Sequence, residues 1–375
     1  GVFCLYVVDS NTLRVQWDDY DYNQYFQKLN LYKEGPSQSL FTLDAFADTA
    51  VKSVIDDKAF DHYNQTYCYS LQAINVCNVG GDTSYVKCTG PNNSEIPDPV
   101  YFKYASVKDN QVVEMEWDPS LEDDFHSFLV LKSPNKNPYA YKVYDSVLFN
   151  NGYYIDSAVK VNRESYCYEI LVRDLCGYTS PPSNEACNIV LKGESVPFEH
   201  LLSWNPYKNW QNDVHSYKIE RKDPIFDQSF IQKGITDGDK NEFIDDSLNY
   251  DVGIYRYRVV AFSDEGDMAN SSYSNEIELI QSPIIRVPNA FTPNADGIND
   301  NWNIADVFVK DFHIQVYNRW GEKVFESNDK NEKWEGVYKS LNETSKMDNV
   351  FVYLIRYTGW DKSVKFERGI VTMIK

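Results

Sequence analysis

An internal repeat constrains this chain more than any other feature. Cys68, Cys77 and Cys88 recur as Cys167, Cys176 and Cys187, each displaced by 99 positions. Their surroundings recur with them: Thr66-Tyr-Cys-Tyr69 matches Ser165-Tyr-Cys-Tyr168, and Ile55-Asp56 matches Ile155-Asp156. Trp17-Asp18 and Trp117-Asp118 lie upstream of each set. A third copy lacks the cysteines but keeps the frame, in Trp204-Asn-Pro-Tyr207, Ile244-Asp245, Tyr255-Arg-Tyr-Arg258 and Ser274-Asn-Glu276. A period of this length means three similar folds in series, followed by a last quarter of different character.

Each unit reads as strands. Leu13-Arg-Val-Gln-Trp17 alternates apolar and polar. Tyr67 to Ala73 places Tyr67, Tyr69, Leu71 and Ala73 on one face. Val113 to Trp117 and Tyr217 to Arg221 behave alike, and no long segment has a helical period. Short strands, frequent turn signals and an early Trp fit a two-sheet sandwich. The order Trp, then Tyr-x-Ile-x-Arg, then Tyr-x-Tyr-x-Val-x-Ala resembles fibronectin type III domains, best in the third copy. The expectation is an all-β chain of tandem β-sandwiches: three fibronectin type III/Ig-like repeats at 13–90, 97–191 and 194–281, then a C-terminal sandwich at 284–375. Pro91 to Pro99, Lys192 to Pro197 and Gln281 to Pro283 read as linkers, short enough for a semi-rigid rod. Cys4 sits 13 residues before Trp17, much as Cys187 sits 17 before Trp204. Residues 1–12 therefore read as the end of a preceding repeat and its linker, and the chain as the C-terminal end of something longer.

Paired cysteines in an all-β chain of secreted type suggest disulfides. Cys68 points away from the face of Tyr67 and Tyr69, and Cys68 and Cys88 are equidistant from residue 78. They are expected to be cross-strand neighbours, giving Cys68–Cys88 and Cys167–Cys187. The competing pairing is Cys77–Cys88 and Cys176–Cys187. The third repeat has Arg256 and Glu278 at the two favoured places, a charge pair replacing a bond. No His lies at zinc-ligand spacing.

The net charge of −20 argues against nucleic acid and anionic membranes as partners. No apolar run approaches membrane-spanning length, so direct membrane insertion is not expected. Signatures of hydrolases, metalloproteases and phosphate-binding loops are absent. His62, His126, His200, His215 and His313 are scattered over the units. The chain reads as non-enzymatic, without a cofactor.

The last quarter opens Val287-Pro-Asn-Ala-Phe-Thr-Pro-Asn-Ala-Asp-Gly-Ile-Asn-Asp300, continues through Tyr317-Asn-Arg-Trp-Gly-Glu-Lys-Val-Phe-Glu326, and then carries Trp334-Glu-Gly336 and an alternating run to Lys375. These motifs, in this order, resemble the gliding-motility-associated C-terminal domain, the type B sorting domain of type IX secretion cargo in Bacteroidota. Ala295 stands where Gly or Asn is common, Glu335 where Asp is usual, and Asn349 where Gly is usual. The resemblance implies a secreted cell-surface protein, exported through the periplasm and associated with the outer membrane. It implies a translocon pore and a PorP/SprF-like outer-membrane β-barrel as partners. The sandwiches would then be a spacer or adhesin stalk, or alternatively the C-terminal stalk of a larger polysaccharide-acting enzyme. Pro293, Asn294, Asp296, Gly297, Asn299, Asp300, Arg319, Trp320 and Gly321 are the candidate recognition residues, with Phe366 to Ile374 as an open strand edge.

Two further readings attach to particular residues. Thr292-x-Asn294-x-Asp296-Gly297 with Asp300 resembles the front half of a calcium loop, so calcium at Asn294, Asp296 and Asp300 is weighed against a self-bonded Asx turn. Asp followed by Ser or Thr and a small or aliphatic residue resembles the O-glycosylation acceptor of the same phylum. It marks Thr49, Ser146, Ser157 and Ser247.

Overall fold

The computed structural model describes residues 3–8, 12–18, 25–35, 40–59, 67–76, 80–83, 86–89, 96–122, 125–134, 137, 140–207, 210, 213–225, 229–263, 271–337 and 350–374. Every element assigned to them is a strand. Contacts divide the chain into two compact units. One comprises Gly1–Lys103, Met115–Tyr154 and Cys167–Ala186; the other comprises Tyr104–Glu114, Ile155–Tyr166 and Cys187–Lys375.

The three repeats share one plan. In the first, Phe3–Val7, Leu13–Trp17 and Ser53–Asp56 form a three-stranded sheet. The opposing sheet runs Leu40–Phe46, Phe26–Glu34, Tyr67–Asn75 and Gly80–Thr83, with Lys87–Thr89 also on Tyr67–Asn75. In the second, the three-stranded sheet is Tyr153–Asp156, Val112–Trp117 and Phe102–Lys108. Its larger sheet is Lys142–Val147, Phe125–Pro134, Tyr166–Asp174 and Ala186–Cys187. In the third, Leu191–Val196, Glu199–Trp204 and Glu242–Asp245 face a sheet built on Ser216–Lys222 and Ile254–Phe262. Strands one, two and five in one sheet, and three, four and the rest in the other, is the arrangement of a fibronectin type III sandwich.

The recurring sequence frame is packing. Trp17, Trp117 and Trp204 are buried. The repeated Ile-Asp and Tyr-x-Tyr pairs are joined by the fold. Asp56 accepts hydrogen bonds from Tyr69 Oη and Lys33 Nζ, both at 2.8 Å. Asp245 accepts them from Tyr257 Oη and Arg221 Nη1, also at 2.8 Å. Each carboxylate lies under its sheet with a cation and a phenol, which offsets the cost of burying it.

Two boundaries differ from the sequence reading. Phe3–Val7 is not the end of an earlier repeat: it pairs with Leu13–Trp17, Phe3 facing Trp17, and Phe3 and Leu5 join the first core. Lys192 to Pro197 is not a linker either. Leu191–Val196 pairs with Glu199–Trp204 along its whole length, turning at Phe198, whose φ is +72°. Its exposed Lys192, Gly193 and Glu194 hide the strand in sequence, because a solvent-facing edge needs few apolar residues. The Pro91 to Pro99 stretch lies outside the described residues as far as residue 95.

The cysteines follow the strands. Cys68 and Cys88 are register partners and are joined, closing a 20-residue separation. Arg256 and Glu278 hold the equivalent register in the third repeat as an ion pair at 3.1 Å. Cys167 and Cys187 are both disulfide-bonded. Cys176 is bonded to Cys4 across 172 residues, which removes the competing Cys176–Cys187 pairing and corrects the assignment of Cys4 to an earlier repeat. The bond sits in a small contact. Tyr6 Oη donates to the Cys176 carbonyl at 3.1 Å, and Tyr178 Oη donates to the Leu5 carbonyl at 3.0 Å. Cys77 lies outside the described residues.

Candidate partner-recognition site

The tail is built on one five-stranded sheet. Ala290–Phe291 runs parallel to Val364–Met373, followed by Val350–Gly359, Val309–Tyr317 and Lys323–Ser327. Ile284–Arg286 pairs separately with Ala305–Val307. The inner face buries Phe312, Ile314 and Val316 against Phe351, Tyr353, Ile355 and Tyr357. Trp334 stands among Phe291, Phe325 and Phe351, and an isolated bridge joins it to Trp302. Trp302 Nε1 donates to the Pro288 carbonyl at 2.8 Å. The Trp-Glu-Gly motif is thus a core element, with Glu335 pointing to solvent, so the exchange of Asp for Glu there costs little.

Two turns present the candidate recognition residues. In the first, Asp300 accepts the amides of Ala295 at 2.6 Å and Gly297 at 2.7 Å. Asp296 accepts the Ile298 amide at 2.7 Å and the Asn294 side-chain amide at 2.9 Å. Those bonds hold the Asp296 carboxyl below its ordinary range, the Asn294 contribution being the larger. Ala295, Gly297 and Asn299 all have positive φ, at +62°, +86° and +55°, and Pro293 presets the backbone leading in. All four carboxylate oxygens of Asp296 and Asp300 therefore face N–H donors. These bonds make the self-bonded turn that the sequence offers as the alternative to calcium, and the set lacks the bidentate Glu of a full calcium loop.

The second turn joins Val309–Tyr317 to Lys323–Ser327. Asn318, buried, uses its Oδ1 to accept the amides of Trp320 at 3.1 Å and Glu322 at 2.9 Å, and Gly321 closes the turn with φ +81°. Trp320 is 66% exposed, and the Arg319 guanidinium lies 4.2 Å from its ring centre. Trp and Arg are the residue types enriched at binding hot spots, and this turn leaves both side chains off the core.

The register puts these turns together at one end of the sheet. Tyr317 pairs with Val352, Val350 with Thr372, and Met373 with Phe291. The Asn318 turn, the Thr292 to Asp300 loop and the chain end after Met373 all leave the sheet at that end. The last residues are not an open edge, because Thr372 and Met373 are covered by Ala290–Phe291. The open portion is Val364 to Val371, where no other described strand pairs.

Thr49, Ser146, Ser157 and Ser247 are all exposed, and Ser247 Oγ donates to Asp245 at 2.7 Å. The sequence reading missed one further surface. Val350, Val352, Leu354, Val364, Phe366 and Ile370 are exposed on the outer face of the tail sheet. The signal was the unbroken apolar run from Val350 to Ile355, in which both strand faces are apolar.

Comparison with known proteins agrees with the tail's motifs. Residues 285–373 match the family model of the CHU_C type IX secretion signal domain. The tail is such a domain, and it marks the chain as cargo of the type IX secretion machinery, a secreted or cell-surface protein. Neither this domain nor the sandwiches before it are catalytic domain types. Among solved structures, the chicken CNTN1 FN1-FN3 domains are similar at 14% identity over 74% of this chain and 97% of that one, with a TM-score of 0.21. At that score the similarity adds no weight to the sandwich assignment, which rests on the strand order above. The comparison with curated proteins gives no match.

Proposed function

We propose that the tail is an export address that also holds the mature protein at the cell surface. Its partners are the translocon pore and a PorP/SprF-like outer-membrane β-barrel, and the sandwiches serve as a spacer or adhesin stalk. The observation that carries this reading is the convergence of two preorganised turns and the chain end at one end of a single sheet. Preorganised turns bind without losing much conformational freedom. Pro293, Asn294, Asp296, Gly297, Asn299 and Asp300 shape one turn. Arg319, Trp320 and Gly321 present the other. Thr49, Ser146 and Ser157, exposed on the sandwiches, are the acceptor hydroxyls best placed for glycosylation during that passage, with Ser247 less available because Asp245 engages it.

The test is a fusion of residues 284–375 to a fluorescent protein with a signal peptide, in a host carrying the system. The fusion is expected at the cell surface, and the barrel is expected to co-purify with it. A fusion that stays in the periplasm while the full-length chain is exported would show that the tail alone is not the address. Trp320→Ala combined with Arg319→Ala is expected to weaken barrel association while the domain stays folded, since both side chains stand off the core.

A further inference from the structure

We infer that the outer face of the tail sheet is a second docking surface, one that takes a protein partner whose own surface is apolar and bears carboxylates. The inference rests on the export-address reading and adds a face distinct from the turns.

A sheet with one wet side ordinarily alternates apolar-in and polar-out. Here Phe351, Tyr353, Ile355 and Tyr357 point into the core, yet Val350, Val352 and Leu354, between them, are apolar too. The neighbouring strand answers in register. Val352 faces Ile370, Leu354 faces Arg368, Arg356 faces Phe366, and Thr358 faces Val364. Phe366 is 74% exposed and Ile370 58%. Six large apolar side chains on two adjacent strands form the kind of contiguous patch that marks an interaction site.

Charge selects the partner. Arg356 and Arg368 flank the patch, and neither has a carboxylate partner among the described residues. Two acids of the adjoining strands on this face are already engaged: Glu326 by His313 at 3.0 Å, by Gln315 at 2.8 Å and by Lys323, and Asp311 by the Thr358 hydroxyl at 2.7 Å. A cavity of about 550 Å³ lies over this ground, lined by His313, Gln315, Leu354, Arg356, Phe366 and Arg368 together with Ile355 and Glu367, which belong to the opposite strand faces by alternation. Arg356 and Arg368 are therefore unpaired cations among the described residues of this face, in a chain whose net charge is −20. A second copy would set Arg against Arg, and the chain as a whole is repelled by anionic lipid. A protein surface with carboxylates placed for the two guanidinium groups satisfies both the charge and the apolar area.

The experiment measures export of the full chain in a type IX host for Arg356→Glu/Arg368→Glu, Phe366→Asp, Arg356→Lys/Arg368→Lys, and deletion of 284–375. The purified variants are first checked for an unchanged melting temperature, which is expected because these side chains are exposed. The charge-reversed pair and Phe366→Asp are expected to lower surface-exposed protein by about tenfold or more, and the lysine pair to retain it. If deletion abolishes export but the charge-reversed pair exports like the parent, the docking face is wrong and the address reading stands. If deletion leaves export intact, the address reading itself fails. Two purified-protein controls complete the test: flotation with phosphatidylglycerol vesicles and sedimentation at increasing concentration. Vesicle binding or self-association that is lost on charge reversal would overturn the inference in favour of lipid or of a second copy.

Discussion

His200 is wholly buried in the third sandwich, its Nδ1 lying 2.8 Å from the Tyr257 hydroxyl. Tyr257 gives its one proton to Asp245, so it accepts from His200, which must carry its hydrogen on Nδ1. Nε2 is buried without a hydrogen-bond partner. Burial pushes the imidazole down to about 4; nearby Asp245 opposes the shift and Arg221 reinforces it. The folded state therefore binds fewer protons than the unfolded state between pH 6.5 and 4. Stability is full above pH 6.5 and falls as the pH drops through that window, by about 3 kcal/mol in all. Burial alone would raise the Asp245 carboxyl, but Ser247, Arg221 and Tyr257 hold it below its ordinary 3.8, so its own loss comes at lower pH. Urea unfolding of the chain at pH 7 and pH 4.5 should show the third sandwich losing stability, and His200→Gln should flatten that difference. An unchanged slope in the variant would assign the effect to other groups.

At the scale of elements, the tail's turns were partly legible in sequence. Pro293-Asn294, Asp296-Gly297 and Gly321 announce turns, and the strands on either side alternate clearly. Trp334-Glu-Gly336 is legible only as a motif of the resemblance, and the structure shows that its Gly is fixed by packing. Gly336 has φ +74°, and a Cβ there would lie 2.7 Å from Met373 Sδ and 3.1 Å from the Phe291 ring. Gly336→Ala is expected to cost about 2 kcal/mol or more, from backbone strain and crowding together. Ala295 offers the opposite case. It holds φ +62° where the family commonly has Gly or Asn, and Ala295→Gly should be neutral or stabilising by up to about 1 kcal/mol. Thermal melts of the two variants beside the parent check both signs. What sequence did not disclose has a common cause. Leu191–Val196 is a wet edge strand with few apolar residues to betray it. The run from Val350 to Ile355 is apolar on both faces, so alternation could not say which side met solvent. Cross-strand register did let Cys68 and Cys88 be paired, because both lie on one hairpin, whereas the partner of Cys4 stands in the next repeat, where local spacing gives no guide.

At the scale of the whole molecule, repeated motifs make the series of sandwiches readable in the sequence. The way Cys4 is fastened was not readable, and it changes how the chain would respond to being pulled. A surface protein held at its tail and gripped elsewhere carries tension along its backbone. Load entering at Gly1 reaches Cys4 and crosses the bond to Cys176. The backbone between them, which includes every strand of the first sandwich and most of the second, is bypassed. Stretched between its ends in an optical trap, the oxidised chain should yield no lengthening from that stretch. Reduction should release about 600 Å of additional contour as those two sandwiches unravel, and Cys4→Ser with Cys176→Ser a shorter length, because the Cys68–Cys88 bridge and the bonds of Cys167 and Cys187 stay closed. Equal lengthening in oxidised and reduced forms would show that the bond does not bear the load. The covalent staple would thus act as a tether of fixed length, leaving the third sandwich and the tail to yield first when the protein is drawn taut.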